Sequence, residues 1–552
     1  MNYKKYSPAP VLHFPQRTWP GKQLEKAPVW CSVDLRDGNQ SLETPMTLEQ
    51  KLEFFQFLVQ VGFKEIEIGF PAASDTEFHF TRQLIEHNLI PDDVTIQVLT
   101  QSREPIIRKT FEALRGVRKA VVHLYNSTSP LQRDVVFQKS REEITQLAVS
   151  GAKLLNELAD ELGRERFIFE YSPESFSQTE PEYAVEICNA VIDCWAGRPT
   201  IINLPFTVES ATPNAHADVV EYMCAHLKNR ENIIISLHAH NDRGTAVAAT
   251  ELCLLAGADR VEGTLFGNGE RTGNADIITL AMNLYSQGID PGLDFSNIDA
   301  AIAIYEKSTG LPVHPRHPYA GDLVYTAFSG SHQDAIRKGM ARMKNGASQW
   351  AVPYLPIDPK DVGRSYDPII RINSQSGRGG VAYILETHGG IHVPKLMQQD
   401  FGLIVTYVSD TRGAELTSDE ICKLFLDTYI KPDSPAQLIN WKDTRENETS
   451  HLLTGNIKLN GAQTPIEGHG DGVLEAFCQG FSAATGINFS IAHYSQNAMD
   501  TDAGTRAKAI SYVGISVEND AHAKIIFGVG VSSSVTTSSI RAVVSAVNRY
   551  LV

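Results

Sequence analysis

The chain has few cysteines, and none of them forms a C-x-x-C pair. Seven thiols are scattered over 552 residues. Their odd number and irregular spacing argue against a disulfide framework or a zinc ribbon, and fit a reducing compartment. The seven are Cys31, Cys188, Cys194, Cys224, Cys253, Cys422 and Cys478.

The sequence also lacks a long uncharged apolar run. No segment approaches the roughly 18 residues that a membrane helix needs. The start, MNYKKYSPAPVLHFPQRTWPGK, places prolines and polar residues where a signal peptide needs a continuous apolar stretch. We therefore expect a cytoplasmic protein without a membrane partner.

Positive charge is in short supply. Lys and Arg number 49 against 65 Asp and Glu, a net charge of −16, which would repel a phosphate backbone. Nucleic acid is therefore not an expected partner. Hydrophobic residues make up 42% and charged residues 21%, which is typical of a globular chain, and the length suggests three to four domain-sized units.

After a proline- and aromatic-rich arm (1–28), short apolar runs alternate with stretches of helical periodicity. One such stretch follows Thr47, a plausible N-cap, and ends before Gly62. Eight runs within about 280 residues predict an α/β fold, a (β/α)8 TIM barrel over 29–305. The runs are Val29–Val33, Glu65–Ile68, Thr95–Leu99, Ala120–Leu124, Phe167–Tyr171, Thr200–Leu204, Ile233–Leu237 and Arg260–Thr264.

Beyond the barrel the alternation stops. Residues 306–430 are helical and loop-rich, which predicts an accessory region, and 431–438 are typical of a linker. Strand-like runs return over 438–552, where Gly468 and Gly470 recur sixty residues later as Gly528 and Gly530. We interpret this as a duplicated strand-turn-helix unit in a small α+β domain.

Three segments at strand ends suggest a metal site. His238 and His240 are two apart on the seventh run, so they share one face at the end where barrel enzymes place their sites. The first run leads into Asp37, an anionic oxygen ligand, beside the cation Arg36. The eighth leads into a Gly-rich loop that presents Asn274 as a further oxygen ligand. Imidazole and oxygen ligands accept Zn²⁺, Mn²⁺ or Mg²⁺.

These motifs resemble a known family. The run Asp34-Leu35-Arg36-Asp37-Gly38, the pair His238-Ala239-His240 and the loop ending in Asn274 are similar to the signature of metal-dependent acyl-CoA Claisen-condensing barrels. Segments 171–174, 203–209 and 328–334 further resemble the long-form 2-isopropylmalate synthases with a C-terminal regulatory domain.

The resemblance implies condensation of acetyl-CoA with 2-oxoisovalerate, hydrolysis of the thioester, and release of 2-isopropylmalate and CoA in leucine biosynthesis. It suggests Mg²⁺ or Mn²⁺, with Mg²⁺ first, held by Asp37, His238, His240 and Asn274. Arg36 is suited to stabilise the developing alkoxide. Glu174 is a candidate base or orienting group. The resemblance adds His332 and Tyr354 as catalytic residues, and His123, Ser172 and Thr207 as substrate-binding residues.

It also implies a homodimer and a C-terminal domain that binds leucine as a feedback inhibitor. Backbone groups of a Gly-rich turn at Gly528 and Gly530 could capture the amino acid. A chain ending near Asn440 is then expected to escape inhibition.

Several alternative functions are also compatible with the sequence. Another 2-oxo acid would make the chain a homocitrate or citramalate synthase, and reversal of the chemistry would make it a related acyl-CoA lyase. A purely structural or dimerising C-terminal domain, or an amino-acid sensor with a relic barrel, also fits the pattern. The intact set of metal-ligand candidates argues against the last of these.

Overall fold

The computed structural model describes all residues except 1–8, 10–11, 328–329, 347–348, 366–377, 413–415, 431–434, 446, 448–449, 500–507, 519–523 and 552. The chain divides into two compact units, 1–324 with 357–365 and 325–356 with 366–552. Among the described residues, no helix is both long and apolar enough to cross a membrane.

The first unit contains a closed barrel of eight parallel strands in sequence order. The (β/α)8 prediction is confirmed, and every strand begins at its expected residue. Strands β2 to β7 extend by one to three residues past their predicted runs, and β1 and β8 each end one residue earlier than predicted. The strands are β1 (Val29–Ser32), β2 (Glu65–Gly69), β3 (Thr95–Gln101), β4 (Ala120–Ser127), β5 (Phe167–Glu174), β6 (Thr200–Phe206), β7 (Ile233–Ala239) and β8 (Arg260–Gly263).

Helices follow the strands and cover the barrel. The first helix begins as its sequence predicts: Thr47 and Gln50 form a capping box, and Gly62 ends the helix at φ 117°. The helices of this unit are α1 (Leu48–Val61), α2 (Asp75–Glu86), α3 (Glu104–Ala113), α4 (Arg141–Leu162), α5 (Pro181–Cys194), α6 (Pro213–His226), α7 (Ala246–Leu255), α8 (Ile277–Ser286) and α9 (Ile298–Thr309).

The described part of the N-terminal arm lies on α6. The Trp19 indole is buried and donates a hydrogen bond to Asp218 at 2.7 Å, while the backbone and hydroxyl of Thr18 donate to Glu221. Part of the predicted arm, residues 1–8 and 10–11, lies outside the described residues.

The barrel interior is polar, whereas such barrels are usually filled by Val, Ile and Leu. Glu67, Gln97, Glu170, Arg260 and Glu262 are at most 1% exposed. Their bonds join strands that are not neighbours, such as Gln97 of β3 to Glu262 of β8 at 2.9 Å, which only inward-pointing side chains can do. An ionic layer therefore lies beneath the mouth of the barrel.

The second unit begins with helices α10 (Gly330–Lys344), α11 (Arg378–Thr387), α12 (Lys395–Arg412) and α13 (Ser418–Phe425). Phe401, Phe425 and Tyr429 form one core with Ile510 and Phe527 from the C-terminal strands. A chain cut near Asn440 would lose part of this core. Loss of inhibition in such a truncated chain could then not be distinguished from loss of its folded structure.

The C-terminal part contains two successive βββα units, and their origin by duplication stays a prediction. They are β9 (Ala436–Arg445), β10 (His451–Leu459), β11 (Ala462–Gly470) and α14 (Val473–Thr485), then β12 (Phe489–Met499), β13 (Lys508–Val517), β14 (Ile526–Ser532) and α15 (Val535–Leu551). The sheet orders are β11-β10-β9 and β12-β13-β14. The last residues of the predicted linker belong to β9, and 431–434 lie outside the described residues.

The repeated glycines do not form turns, as the pattern suggested, but lie inside β11 and β14. In each unit the helix packs closely against these glycines. A Cβ on Gly528 would lie 2.2 Å from the backbone nitrogen of Ala546 in α15, and a Cβ on Gly468 would lie 2.2 Å from the carbonyl oxygen of Ala476 in α14. This packing alone explains why glycine occupies these positions. The leucine-binding role of Gly528 and Gly530 stays a prediction.

Replacing Gly528 by Ala is expected to destabilise the C-terminal domain by about 1–3 kcal/mol, because backbone atoms of α15 would have to move. Gly472→Ala is the matched control, since a Cβ there meets nothing within 4 Å. Urea unfolding of the intact chain measures both variants. Equal midpoints for the two would contradict the packing argument.

Candidate functional site

A cavity of about 160 Å³ opens at the carboxyl ends of the barrel strands. Eight of the predicted site residues line it, and they come from five strands or from the loops that follow those strands. They are Arg36, Asp37, His123, Ser172, Glu174, Thr207, His238 and His240.

Asp37 is the centre of the predicted metal cluster. It lies in a helical turn, Asp34–Gly38, that follows β1, and its side chain is 7% exposed. Its Oδ2 atom lies 3.6 Å from His238 Nε2 and 3.9 Å from His240 Nε2. The two imidazole rings have centroids 5.3 Å apart. The shared face predicted for the two histidines is thus observed.

Asn274 borders this cluster from the loop after β8. Its Nδ2 donates to Asp37 Oδ2 at 2.7 Å and to the carbonyl of Asn268 at 2.9 Å. The loop folds tightly because Gly273 adopts φ 94°, where a Cβ would lie against the carbonyl oxygen of Gly267. The glycines therefore serve to hold Asn274 against Asp37.

The donors fit a divalent cation. One ligand atom each from Asp37, His238 and His240 lie within 4.8 Å of one another. Among the described residues, a buried oxygen beside them, Asn274 Oδ1, has no hydrogen-bond partner. Imidazole nitrogens with carboxylate and amide oxygens form a donor set that accepts Mg²⁺, Mn²⁺ or Zn²⁺.

Electrostatics distinguish the two histidines. Burial opposes charge on His238, but the carboxylates of Asp37 and Glu262 raise its pKa to about 9. Burial and the neighbouring charge of His238 lower the pKa of His240 to about 4. Although burial opposes its ionisation, Asp37 has a pKa well below the usual range, because Arg36 and His238 stabilise its charge.

Arg36 is fixed beside the cluster by two carboxylates. Its Nε donates to Glu67 Oε2 at 2.5 Å and its Nη1 to Asp37 Oδ1 at 2.7 Å. A guanidinium carries five N–H groups, so these two bonds leave donors for a ligand in the cavity. The side chain is only 10% exposed, so its charge acts in a medium of low dielectric.

His123 and Ser172 form a hydrogen-bonded pair on another wall. His123 Nε2 lies 2.7 Å from Ser172 Oγ, and its Nδ1 lies 2.8 Å from Glu67 Oε1. Asn203 Nδ2 also donates to Ser172 Oγ, at 2.9 Å. Glu67 thus holds Arg36 with one oxygen and His123 with the other.

Glu174 and Thr207 end neighbouring strands at the cavity. The Ser127 hydroxyl donates to Glu174 Oε2, which leaves the carboxylate facing the cavity. Thr207 Oγ1 accepts a hydrogen bond from the Ser175 backbone at 2.9 Å. Its carbonyl accepts one from Arg271, which is also paired with Asp242.

His332 and Tyr354 belong to the second unit. Their rings are stacked with centroids 4.0 Å apart, and Tyr354 is 61% exposed at φ 66°. The two residues predicted together by resemblance thus lie in contact with each other. Their part in the barrel site stays a prediction.

Sequence reasoning missed the cavity walls formed by Gln40, Leu99, Tyr125, Asn203, Pro205, Glu270 and Arg271, and the ionic layer beneath them. A signal for the layer exists in the sequence. Charged residues alternate with apolar ones inside runs predicted to be buried, as in Glu65-Ile66-Glu67-Ile68 and Arg260-Val261-Glu262. Charges spaced by two in such strands indicate an inward-facing polar row.

Successive parts of the chain match three known families. Residues 27–304 match the HMGL-like family, 322–386 the alpha-isopropylmalate synthase post-catalytic domain, and 415–551 the LeuA allosteric (dimerisation) domain. A solved structure of an HMG-CoA lyase from Bacillus subtilis is 20% identical to this chain, with a TM-score of 0.44. The alignment covers 53% of this chain and 98% of the lyase chain.

Two full-length relatives are more similar. The 2-isopropylmalate synthase of Acetoanaerobium sticklandii is 58% identical, over 100% of this chain and 97% of its own length. The 2-isopropylmalate synthase of Clostridium acetobutylicum is 52% identical, over 100% of this chain and 99% of its own length. The chain therefore belongs to the 2-isopropylmalate synthase family.

Proposed function

We propose that this chain condenses acetyl-CoA with 2-oxoisovalerate and hydrolyses the thioester, releasing 2-isopropylmalate and CoA. The observation that carries the proposal is the meeting of Arg36 with the three donors Asp37, His238 and His240 in one cavity. A chain of this family with an incomplete donor set would not support the same reaction.

Asp37, His238, His240 and the Asn274 amide oxygen would hold the cation, and Mg²⁺ suits the two oxygens. A bound divalent ion would act as a Lewis acid on the 2-oxo carbonyl. Arg36 then donates hydrogen bonds to the oxygen on which negative charge develops. Because Glu67 and Asp37 fix the guanidinium beforehand, little reorganisation is needed when that charge appears.

Glu174 is placed to handle the proton of the acetyl methyl group. Its carboxylate faces the cavity and is held by Ser127. We assign it the role of base, or of a group that orients the base. His332 is the alternative base, or activates the hydrolytic water, in this proposal, and Tyr354, whose ring is stacked on that of His332, completes the site.

His123, Ser172 and Thr207 bind the oxo acid. The hydroxyl and imidazole groups suit its carboxylate and carbonyl oxygens, while Leu99 and Pro205 give the same cavity an apolar wall. Such a wall suits a branched aliphatic side chain. A second carboxylate, as in 2-oxoglutarate, would need a free cation there, and Arg271 is already paired with Asp242.

The C-terminal domain binds leucine and lowers activity in this proposal, which is supported by the match to the LeuA allosteric domain. The same match supports a homodimer. All seven cysteines are free thiols, in keeping with the proposed cytoplasmic location.

Release of free CoA thiol, followed with a thiol reagent, tests the activity directly. With acetyl-CoA and Mg²⁺ or Mn²⁺, release should be faster with 2-oxoisovalerate than with pyruvate or 2-oxoglutarate, and chelation of the metal should stop it. Faster release with either of the other acids would make the chain a citramalate or homocitrate synthase.

His238→Ala and Asp37→Ala should each lower the rate of thiol release by roughly 10²- to 10³-fold, because the cation's contribution to the barrier is several kcal/mol. His226→Ala is the control, since His226 is an exposed histidine on α6. Circular dichroism checks that each variant is folded. Full activity in either site variant would mean that the metal lies elsewhere.

Leucine should bind the intact chain and lower the rate of thiol release, whereas D-leucine should do neither. Calorimetry measures the binding and the thiol assay measures the inhibition. The intact chain is required because truncation would remove Ile510 and Phe527 from the core they share with Phe401. Leucine binding without inhibition would limit the domain to a structural or dimerising role.

A further inference from the structure

The two metal-ligand histidines differ in what lies behind them. His238 Nδ1 lies 2.7 Å from Glu262 Oε2, while its Nε2 faces Asp37. His240 Nδ1, by contrast, has no hydrogen-bond partner among the described residues. One imidazole is therefore held from behind by a carboxylate, and the other is not.

Glu262 is itself immobilised. It is 1% exposed on β8, and its Oε1 accepts from Arg260 Nη1 at 2.8 Å and from Gln97 Nε2 at 2.9 Å. Asn203 Nδ2 lies 3.3 Å from Oε2. Burial opposes its ionisation, but Arg260 and His238 keep its pKa well below the usual range. The carboxylate is thus an acceptor with a fixed direction.

Arg260 anchors this carboxylate from below. It is fully buried, and it donates to Glu65 at 2.6 Å, to Ser236 Oγ at 2.8 Å and to Gln97 Oε1 at 2.7 Å. Arg260 and Glu65 each begin a strand, and His238 lies near the end of β7. A line of charge-assisted bonds therefore runs from the amino end of the barrel up to the histidine.

We propose that Glu262 is a positioning residue for the metal site. Its carboxylate accepts the Nδ1–H of His238, which fixes the tautomer and the ring so that Nε2 is presented beside Asp37. A carboxylate behind a ligating histidine also raises the basicity of the nitrogen that binds the cation. This inference rests on the proposed metal site, and it assigns Glu262 no contact with substrate.

The competing explanation is that Glu262 only neutralises the buried Arg260. The chain offers a matched control in Glu65, which begins β2 and accepts a hydrogen bond from Arg260 Nε at 2.6 Å. Glu65 bonds to none of the four proposed ligands. Replacing either glutamate by Gln removes a carboxylate that neutralises Arg260, but only Glu262 bonds to His238.

The test is Mn²⁺ binding to the full chain after chelator treatment, with free Mn²⁺ measured by electron paramagnetic resonance. Glu262→Gln should raise the dissociation constant by about 10- to 100-fold, and Glu65→Gln should leave it near that of the unmodified chain. In the Co²⁺-loaded protein, the visible absorption bands should shift in the first variant only, because the ring orientation changes.

Glu262→Asp separates position from charge, since it keeps the charge and withdraws the carboxylate by one methylene. Weak Mn²⁺ binding by this variant supports positioning, and unmodified affinity overturns it. Equal losses in Glu262→Gln and Glu65→Gln also overturn it, because both variants remove a carboxylate that neutralises Arg260. If the unmodified chain binds no Mn²⁺, the proposed metal site itself fails. Melting midpoints confirm which variants are folded, and the Asp variant serves if the Gln variant is not.

Discussion

The bond between Arg36 and Glu67 is the constraint on which the rest of the site depends. Glu67 comes from β2 and holds Arg36 at 2.5 Å with one oxygen and His123 at 2.8 Å with the other. Arg36 in turn holds Asp37, around which His238, His240 and Asn274 gather. One buried carboxylate of β2 therefore links, directly or through Arg36 and Asp37, groups that come from β1, β4, β7 and β8 or from the loops after them.

Such a layer is costly, because buried charges lose their hydration, and only close pairing with opposite charges offsets the free energy that is lost. In this barrel nearly every carboxylate of the layer faces a guanidinium or an imidazole. A barrel filled with Val and Leu would be more easily stabilised, but it could not orient a guanidinium and two histidines. The polar interior is therefore explained by the site above it.

The sequence predicted the barrel because each strand reads as a buried apolar run, and the eight starting residues coincide with those observed. It placed Asp37, His238 and His240 together because parallel strands end on the same side. It did not reveal the contact of Glu262 with His238, because charges spaced by two indicate an inward-facing row but do not show which side chains of the other strands that row meets. The glycines at 528 and 530 misled for a similar reason: their pattern suggests a turn, and only packing against α15 explains them.

The central claim is that His238 and His240 hold the cation that the oxo acid approaches. Pulsed electron paramagnetic resonance of the Mn²⁺-loaded intact chain tests it most directly. We expect couplings from two imidazole nitrogens that persist when 2-oxoisovalerate labelled with ¹³C at its carbonyl is added, together with a new ¹³C coupling. A manganese signal without imidazole nitrogen coupling would contradict the account.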